Sequence, residues 1–129
     1  MTAKPVRPTD SELEILTVLW SRGASTIREV YETLRRRRKS AQYATVLKFM
    51  QIMAQKGLLK RDDTDKAHVY EPAHSRELMQ KQLAGDLLQR GFDWSMKNLM
   101  IGALSARSAT KEELAELRQL LDDYEKGER

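Results

Sequence analysis

Residues 40–57, SAQYATVLKFMQIMAQKG, carry the pattern that decides how this chain folds. Four apolar side chains recur there at the i, i+3, i+4, i+7 spacing of one buried helical stripe: Val46, Phe49, Met50 and Met53. The opposite face carries hydrogen-bonding groups, an aromatic ring and a cation, but no carboxylate. Gly57 is expected to end the helix. The pattern predicts a helix that packs one face on a small core and presents the other to the major groove of DNA.

The composition indicates a helix-rich globular chain. Of 129 residues, 33% are charged and 40% are hydrophobic, which suits one ordinary domain or two very small ones. No apolar run approaches the length of about 20 residues that a membrane-spanning helix needs, and the first residues lack the apolar segment of a signal peptide. The chain has no cysteine, so it forms no disulfide or thiolate metal site. We expect a cytoplasmic protein that is not attached to a membrane.

Positive charge is concentrated in the first part of the chain. The formal net charge is +4, and residues 1–72 carry 14 Lys and Arg against 9 Asp and Glu, whereas residues 73–129 carry 9 against 10. A basic part joined to a neutral part indicates a polyanion-binding module attached to a second function. A surface charge that only keeps the protein in solution is the alternative interpretation.

Two helices are predicted before residues 40–57, and each begins with a capping box. Thr9 with Glu12, and Thr26 with Glu29, have the spacing at which the two side chains and backbone amides satisfy one another. A glycine, Gly23, is expected to end the first of these helices.

After residue 57 the periodicity changes to that of strands. Residues 58–61 and 67–71 are short β-prone segments on either side of a charged turn, so they predict a hairpin. Three helices followed by a two-stranded hairpin form the winged helix-turn-helix arrangement. We therefore assign residues 9–73 to a winged-helix DNA-binding domain and residues 1–8 to a flexible arm.

Residues 74–129 predict three further helices, the last of which starts at a third capping box, Thr110 with Glu113. The fold class is thus mostly α. Three helices in about 50 residues bury little apolar surface by themselves, so we expect this region to form a homodimer with a second chain. Folding back onto the first domain is the alternative. The dimerisation candidates are Met79, Leu83, Leu87, Met96, Met100, Leu114, Leu117, Leu121 and Tyr124.

Two groups of residues are expected to contact double-stranded operator DNA. The N-terminal part of a recognition helix meets base edges, which makes the base-reading candidates Gln42, Tyr43, Thr45 and Lys48. Glutamine pairs with adenine, lysine with guanine, and the threonine methyl with the thymine methyl. Cations near that helix and on the wing are expected to hold phosphates without specifying sequence; these are Arg35, Arg36, Arg37, Arg38, Lys39, Arg61 and Lys66.

Each of these assignments has a structural alternative. The basic run at residues 35–39 also suits the negative end of a helix dipole. Tyr43 is alternatively a residue that packs on its own domain, and the Thr45 hydroxyl alternatively bonds a backbone carbonyl of its own helix.

No catalytic or cofactor site is predicted. The sequence has no glycine-rich phosphate loop, nucleophile elbow or histidine-rich metal spacing. The only histidines, His68 and His74, lie apart from each other and have no cysteine to join them in a metal site. His68 is expected to be a hydrogen-bonded residue of the wing strand.

The order of these parts and four local segments resemble a known family. The segments are SELEIL at residues 11–16 with LW at 19–20, TIREV at 26–30, YATV at 43–46 running into KGLL at 56–59, and HVY at 68–70. With them the chain resembles the penicillinase-repressor (BlaI/MecI) family of bacterial winged-helix transcription regulators over about residues 8–124. The resemblance implies a dimer that represses transcription from a palindromic operator, with the winged helix on DNA and the C-terminal helices dimerising.

Two features depart from what the resemblance implies. Family members that control β-lactam resistance are cleaved at an Asn-Phe bond in the second C-terminal helix, and the corresponding position here is near Gly102-Ala103. Copper-responsive relatives carry a cysteine-rich tail, and this chain has no cysteine. An upstream sensor or protease is therefore left unassigned.

Two other functions remain open at this point. A winged-helix adaptor that binds proteins and never reads DNA is the main alternative, although apolar anchors are expected on such a surface, and the face around residues 42–55 is polar. A small-ligand pocket lined by Met79, Met96 and Met100 is a weaker one, because methionines are more often core residues.

Overall fold

The computed structural model describes residues 7–64 and 66–127. The predicted arm at residues 1–8 lies mostly outside this part of the chain. Within it the elements, in chain order, are α1 (Asp10–Arg22), α2 (Ile27–Arg37), α3 (Tyr43–Lys56), β1 (Leu59–Asp62), β2 (Val69–Pro72), α4 (Arg76–Gly91), α5 (Met96–Ala106) and α6 (Lys111–Glu125). This order confirms the mostly α fold class, with a winged helix-turn-helix followed by a helical region.

The chain divides into two compact units. The N-terminal unit ends at Gln82 and the C-terminal unit begins at Leu83, so the boundary falls inside α4. The first turns of this helix therefore belong with the winged helix.

All three capping boxes form. Thr9 and Glu12 exchange hydrogen bonds of 2.9 and 3.2 Å at the start of α1, and equivalent pairs begin α2 and α6. Gly23 ends α1 with a φ of 91°, and Gly57 ends α3 in the left-handed conformation with a φ of 84°. Backbone amides and carbonyls at helix ends lack intrahelical partners, so these local signals set the helix boundaries in agreement with the sequence predictions.

The core of the N-terminal unit is built from α1, α2, α3 and the hairpin. The predicted stripe of α3 faces it: Val46, Met50 and Met53 are buried, and Phe49 packs beside them. Met79 of α4 joins the same core and is only 2% exposed. Its side chain is therefore covered within its own chain, which corrects its assignment as a dimerisation candidate. Sequence periodicity placed it on the same stripe as the leucines that follow it along α4.

The wing is a two-stranded antiparallel sheet. Leu59 pairs with Pro72 at one end and Asp62 with Val69 at the other; both strands begin one or two residues later than predicted. Ser25, in the α1–α2 connection, exchanges backbone hydrogen bonds of 2.8 and 2.9 Å with Tyr70. This bridge attaches the wing to the helix-turn-helix.

The C-terminal unit contains the end of α4, and α5 and α6. Arg107, after α5, binds Glu113 of α6 through two hydrogen bonds of 2.6 and 3.1 Å and holds the pKa of that carboxyl at about 2. None of the described residues of this unit is fully buried in the single chain. Its apolar side chains thus remain at least partly exposed in the single chain.

One buried charge connects the two ends of the helical core. The Glu12 side chain at the start of α1 is 2% exposed and accepts hydrogen bonds of 2.9 and 3.0 Å from Lys56 Nζ, in the last turn of α3. Burial raises the pKa of Glu12, but the bonds from Lys56 and the Thr9 amide outweigh it, and the net pKa is lowered. The ionised form therefore stabilises the fold.

We expect Glu12→Gln to lower the free energy of unfolding at pH 7 by about 1.5–3 kcal/mol, the contribution of a hydrogen bond to a charged group. Because the pKa of Glu12 is lower in the folded chain, its contribution is complete above the unfolded value near 4.5 and is lost as pH falls below it. The free energies of unfolding of wild type and variant should therefore approach each other as pH falls below about 4.5. Urea denaturation at a fixed protein concentration measures both.

The matched control is Glu29→Gln. Glu29 holds the same capping position in α2, but its side chain is 47% exposed. The decrease in the free energy of unfolding should therefore be smaller for Glu29→Gln than for Glu12→Gln. Equal losses from the two variants would contradict a special role for the buried Glu12–Lys56 pair.

Candidate nucleic-acid interface

The exposed face of α3 is polar and free of negative charge. All four base-reading candidates are exposed: Gln42 at the N-cap, and Tyr43, Thr45 and Lys48 in the first turns of the helix. No acidic residue occurs between Tyr43 and Lys56. The surface can thus accept a polyanion without charge repulsion from the helix itself.

Side chains of this face are largely unengaged. Within the described residues, Lys48 forms no ion pair, and the Thr45 hydroxyl makes no hydrogen bond to a backbone carbonyl, unlike Thr17 and Thr33, which bond the carbonyl four residues earlier at 2.8 and 2.9 Å. The alternative in which Thr45 satisfies its own helix is therefore not what the structure shows. Its hydroxyl and methyl groups are available to a ligand.

Tyr43 differs from its neighbours because its ring is partly packed. The ring meets that of Tyr31 edge to face, with centroids 5.6 Å apart and planes at 83°, and 37% of the residue stays exposed. The Arg28 guanidinium carbon lies 4.9 Å from the centroid of the Tyr43 ring. The Tyr31 hydroxyl in turn accepts a 2.7 Å hydrogen bond from Arg35. These contacts fix the start of α3 against α2.

Arg28 was missed by the sequence analysis. Its one available signal is that Arg28, Tyr31 and Arg35 are spaced i, i+3, i+7, which places them on one face of α2. The ring that Arg28 contacts belongs to a different helix, and helix pairing cannot be read from spacing within one helix.

The basic run at the end of α2 separates into two kinds of residue. Arg38, the C-cap, binds Glu14 of α1 at 3.0 Å, and Arg35 is engaged with Tyr31. Arg36, Arg37 and Lys39 are exposed and form no ion pair within the described part of the chain. Arg36, Arg37 and Lys39 are therefore the cations of this run that remain free to bind a phosphate.

The two predicted wing cations, Arg61 and Lys66, also differ in whether they have an anionic partner. Arg61 lies 2.8 Å from an Asp63 carboxylate oxygen, and the hydrogen bonds that Arg61 donates to Tyr70 and Asp63 raise the pKa of the arginine. His68 Nδ1 lies 2.7 Å from the same Asp63 oxygen, and His68 precedes β2 by one residue instead of lying within the strand as predicted. Lys66 is exposed and has no ion-pair partner among the described residues. Of the two predicted wing cations, Lys66 thus has no anionic partner among the described residues, whereas the charge of Arg61 is balanced by Asp63.

No metal centre is found among the described residues, and the groove beside the start of α3 is small. The described residues contain no cluster of three or more His, Asp or Glu side chains able to hold a metal ion. A groove of about 120 Å³ runs between α1, the end of α2 and the start of α3, where Gln42 and Thr45 form part of its lining. This volume is far below that of ordinary small-molecule sites, which start at about 300 Å³.

The C-terminal unit exposes many large apolar side chains. Among the predicted dimerisation residues, the exposed fractions are 46% for Leu87, 74% for Met96, 44% for Met100, 61% for Leu121 and 60% for Tyr124. Leu83, Leu114 and Leu117 are half-buried. A groove of about 630 Å³ between α5 and α6 is lined by several such residues, among them Met100 and Leu117. None of the described helices has the length and apolarity that a membrane crossing requires.

The helix-turn-helix, the attached wing and the carboxylate-free face of α3 define a winged-helix protein of the transcription-regulator class. The penicillinase repressor family model matches residues 8–123. The chain belongs to that family, which confirms the resemblance read from the sequence.

Curated relatives agree with this assignment. The chain is similar to proteins named "Transcriptional regulator BlaI" from Mycobacterium tuberculosis strains CDC 1551 / Oshkosh and ATCC 25618 / H37Rv, each 34% identical over 126 residues that cover 97% of this chain and 90% of the relative. The family and these relatives are transcription regulators, a class that is generally not enzymatic.

Proposed function

We propose that this protein is a dimeric, cytoplasmic transcription repressor that binds a palindromic operator through α3. The observation that carries the proposal is the exposed, carboxylate-free face of α3 on a winged helix whose nearby cations are partly unpaired. Membership of the penicillinase repressor family supports the same function.

In this proposal, residues at the start of α3 contact the base edges. In a helix-turn-helix the first residues of the recognition helix meet base edges in the major groove, and Gln42, Thr45 and Lys48 are exposed there without protein partners in the described chain. Their chemistry suits adenine, thymine and guanine respectively. Tyr43 contributes through its hydroxyl, since its ring is engaged by Tyr31 while 37% of the residue stays exposed.

Phosphate binding falls to the free cations on either side of this helix. Arg36, Arg37 and Lys39 precede α3, and Lys66 lies on the wing. Arg35, Arg38 and Arg61 first have to leave or share their present partners. Such contacts supply affinity that falls with salt, because each one releases counterions from the DNA.

Dimerisation falls to the C-terminal unit. Its apolar side chains are exposed in the single chain, and none of its described residues is fully buried. Contiguous exposed apolar surface marks an association site. A two-fold symmetric pair presents two copies of α3, and half-sites about one helical turn or a multiple apart fit that symmetry.

Selection of bound fragments from genomic DNA tests the proposal directly. The expected result is a palindromic consensus bound tightly at low salt, with affinity that falls steeply as salt rises. Weak, salt-insensitive binding to every fragment, together with one stoichiometric protein partner in a pulldown, would instead support the adaptor interpretation.

For base reading we expect Gln42→Ala and Lys48→Ala each to weaken operator binding by about 1–3 kcal/mol and to relax sequence preference at one position. Gln55→Ala is the control for Gln42, since Gln55 is exposed in the last turn of the same helix, and Lys97→Ala is the control for Lys48. Titration of operator duplexes substituted at single positions provides the measurement. Equal losses in variants and controls would count against base contacts at these positions.

For dimerisation we expect Leu121→Lys to give monomers at micromolar concentration, because a cation replaces an apolar side chain in the proposed contact. Operator affinity should fall at least about tenfold, since each chain then binds its half-site alone. The control is Asp122→Lys, which introduces the same side chain at a neighbouring exposed position. Sedimentation equilibrium measures the association, and an unchanged dimer in Leu121→Lys would exclude this surface.

A further inference from the structure

Arg28 is a cation whose position is set by an aromatic ring of another helix. It is the second residue of α2, and its guanidinium carbon lies 4.9 Å from the centroid of the Tyr43 ring, at the first residue of α3. A guanidinium over a ring face at this distance is attracted by the ring quadrupole. The contact joins the beginning of the first helix of the helix-turn-helix to the beginning of the second.

The ring that holds Arg28 is itself held. Tyr43 meets the Tyr31 ring edge to face at 5.6 Å, and the Tyr31 hydroxyl accepts a 2.7 Å hydrogen bond from Arg35. Two arginines and two rings thus form one connected set across α2 and α3, which we call the arginine–tyrosine cluster: Arg28, Tyr31, Arg35 and Tyr43. A side chain placed by several contacts loses less freedom when it binds a ligand.

The charge of Arg28 has no anionic partner among the described residues. Arg28 is exposed and forms no ion pair or hydrogen bond with a carboxylate among the described residues, whereas Arg22 on the preceding helix binds Glu29 at 3.1 Å. A cation–π contact uses none of the N–H groups of Arg28 as hydrogen-bond donors to an anion. A guanidinium group can donate two of these N–H groups to two oxygens of one phosphate group.

We propose that Arg28 is a phosphate-binding residue of the DNA interface and that Tyr43 is its positioning residue. The inference rests on the proposed function and deepens it, because it adds a phosphate contact that lies outside the basic run at residues 35–39. Tyr43 then serves recognition through its ring as well as through its hydroxyl: the ring fixes the guanidinium beside the start of α3, where the base-reading residues lie. A phosphate held there sets the register of α3 in the groove.

The test compares operator binding by the full-length chain over a range of salt concentrations. Arg28→Ala should reduce the slope of log affinity against log salt by about 0.9 for each protomer on the duplex. The advantage of wild type over the variant should accordingly shrink about threefold per protomer between 50 and 200 mM salt. Arg118→Ala, an exposed arginine on α6, should leave the slope unchanged.

Two further variants separate charge from geometry. Arg28→Lys should restore most of the slope but not the affinity, because an ammonium group keeps the charge and loses the bidentate, stacked geometry. Tyr43→Phe should retain the effect of the ring, whereas Tyr43→Leu should weaken binding. The double variant Arg28→Ala, Tyr43→Leu should lose less binding free energy than the sum of the losses of the two single variants, because without Arg28 the ring has no guanidinium to position.

The outcomes distinguish this inference from the proposed function. If the wild type binds no duplex, the proposed function fails and this inference fails with it. If the wild type binds in a salt-dependent way but Arg28→Ala has the wild-type slope, only the phosphate contact is overturned. If the Arg28 and Tyr43 losses simply add, the positioning role of Tyr43 is overturned. Thermal melting of each variant verifies that it is folded.

Discussion

The burial of the apolar stripe of α3 is the interaction on which the winged helix depends. Val46, Met50 and Met53 are each less than 5% exposed, and burial of such side chains stabilises a fold by about 1.5–3 kcal/mol apiece. Because the same helix carries the exposed polar face, its rotation about its own axis is fixed by packing. A turn of α3 that would move its polar residues would also expose its methionines.

The two ends of α3 are held by different chemistry. At its C-terminal end Lys56 donates hydrogen bonds to the buried carboxylate of Glu12, which also accepts one from the Thr9 amide. At its N-terminal end Tyr43 packs on Tyr31 and receives Arg28 over its ring, contacts that stay on the surface. The end proposed to read DNA is therefore supported by groups that DNA can also reach, whereas the opposite end is anchored in the interior.

Local signals were readable from sequence and contacts between elements were not. The three threonine–glutamate capping boxes, the glycine helix ends and the α3 stripe follow from spacings of a few residues, and all of them form. The Glu12–Lys56 pair spans 44 positions, and the Arg28–Tyr43 contact joins two helices, so periodicity carries no signal for either. Met79 shows the same limit: its spacing matches the leucines of α4, but its burial is set by the core of the preceding unit. Membership of the penicillinase repressor family was predictable because it depends on the order of local motifs.

The absence of fully buried residues from the described part of the C-terminal unit has a consequence for how the protein responds to its own abundance. If this unit forms the proposed dimer, the stability of the associated chain rises with the concentration of the protein. Synthesis and degradation then change two quantities at once, the number of chains and the fraction of them that is fully folded. The amount of active dimer would then vary more steeply than the total amount of protein, without a ligand or a covalent change.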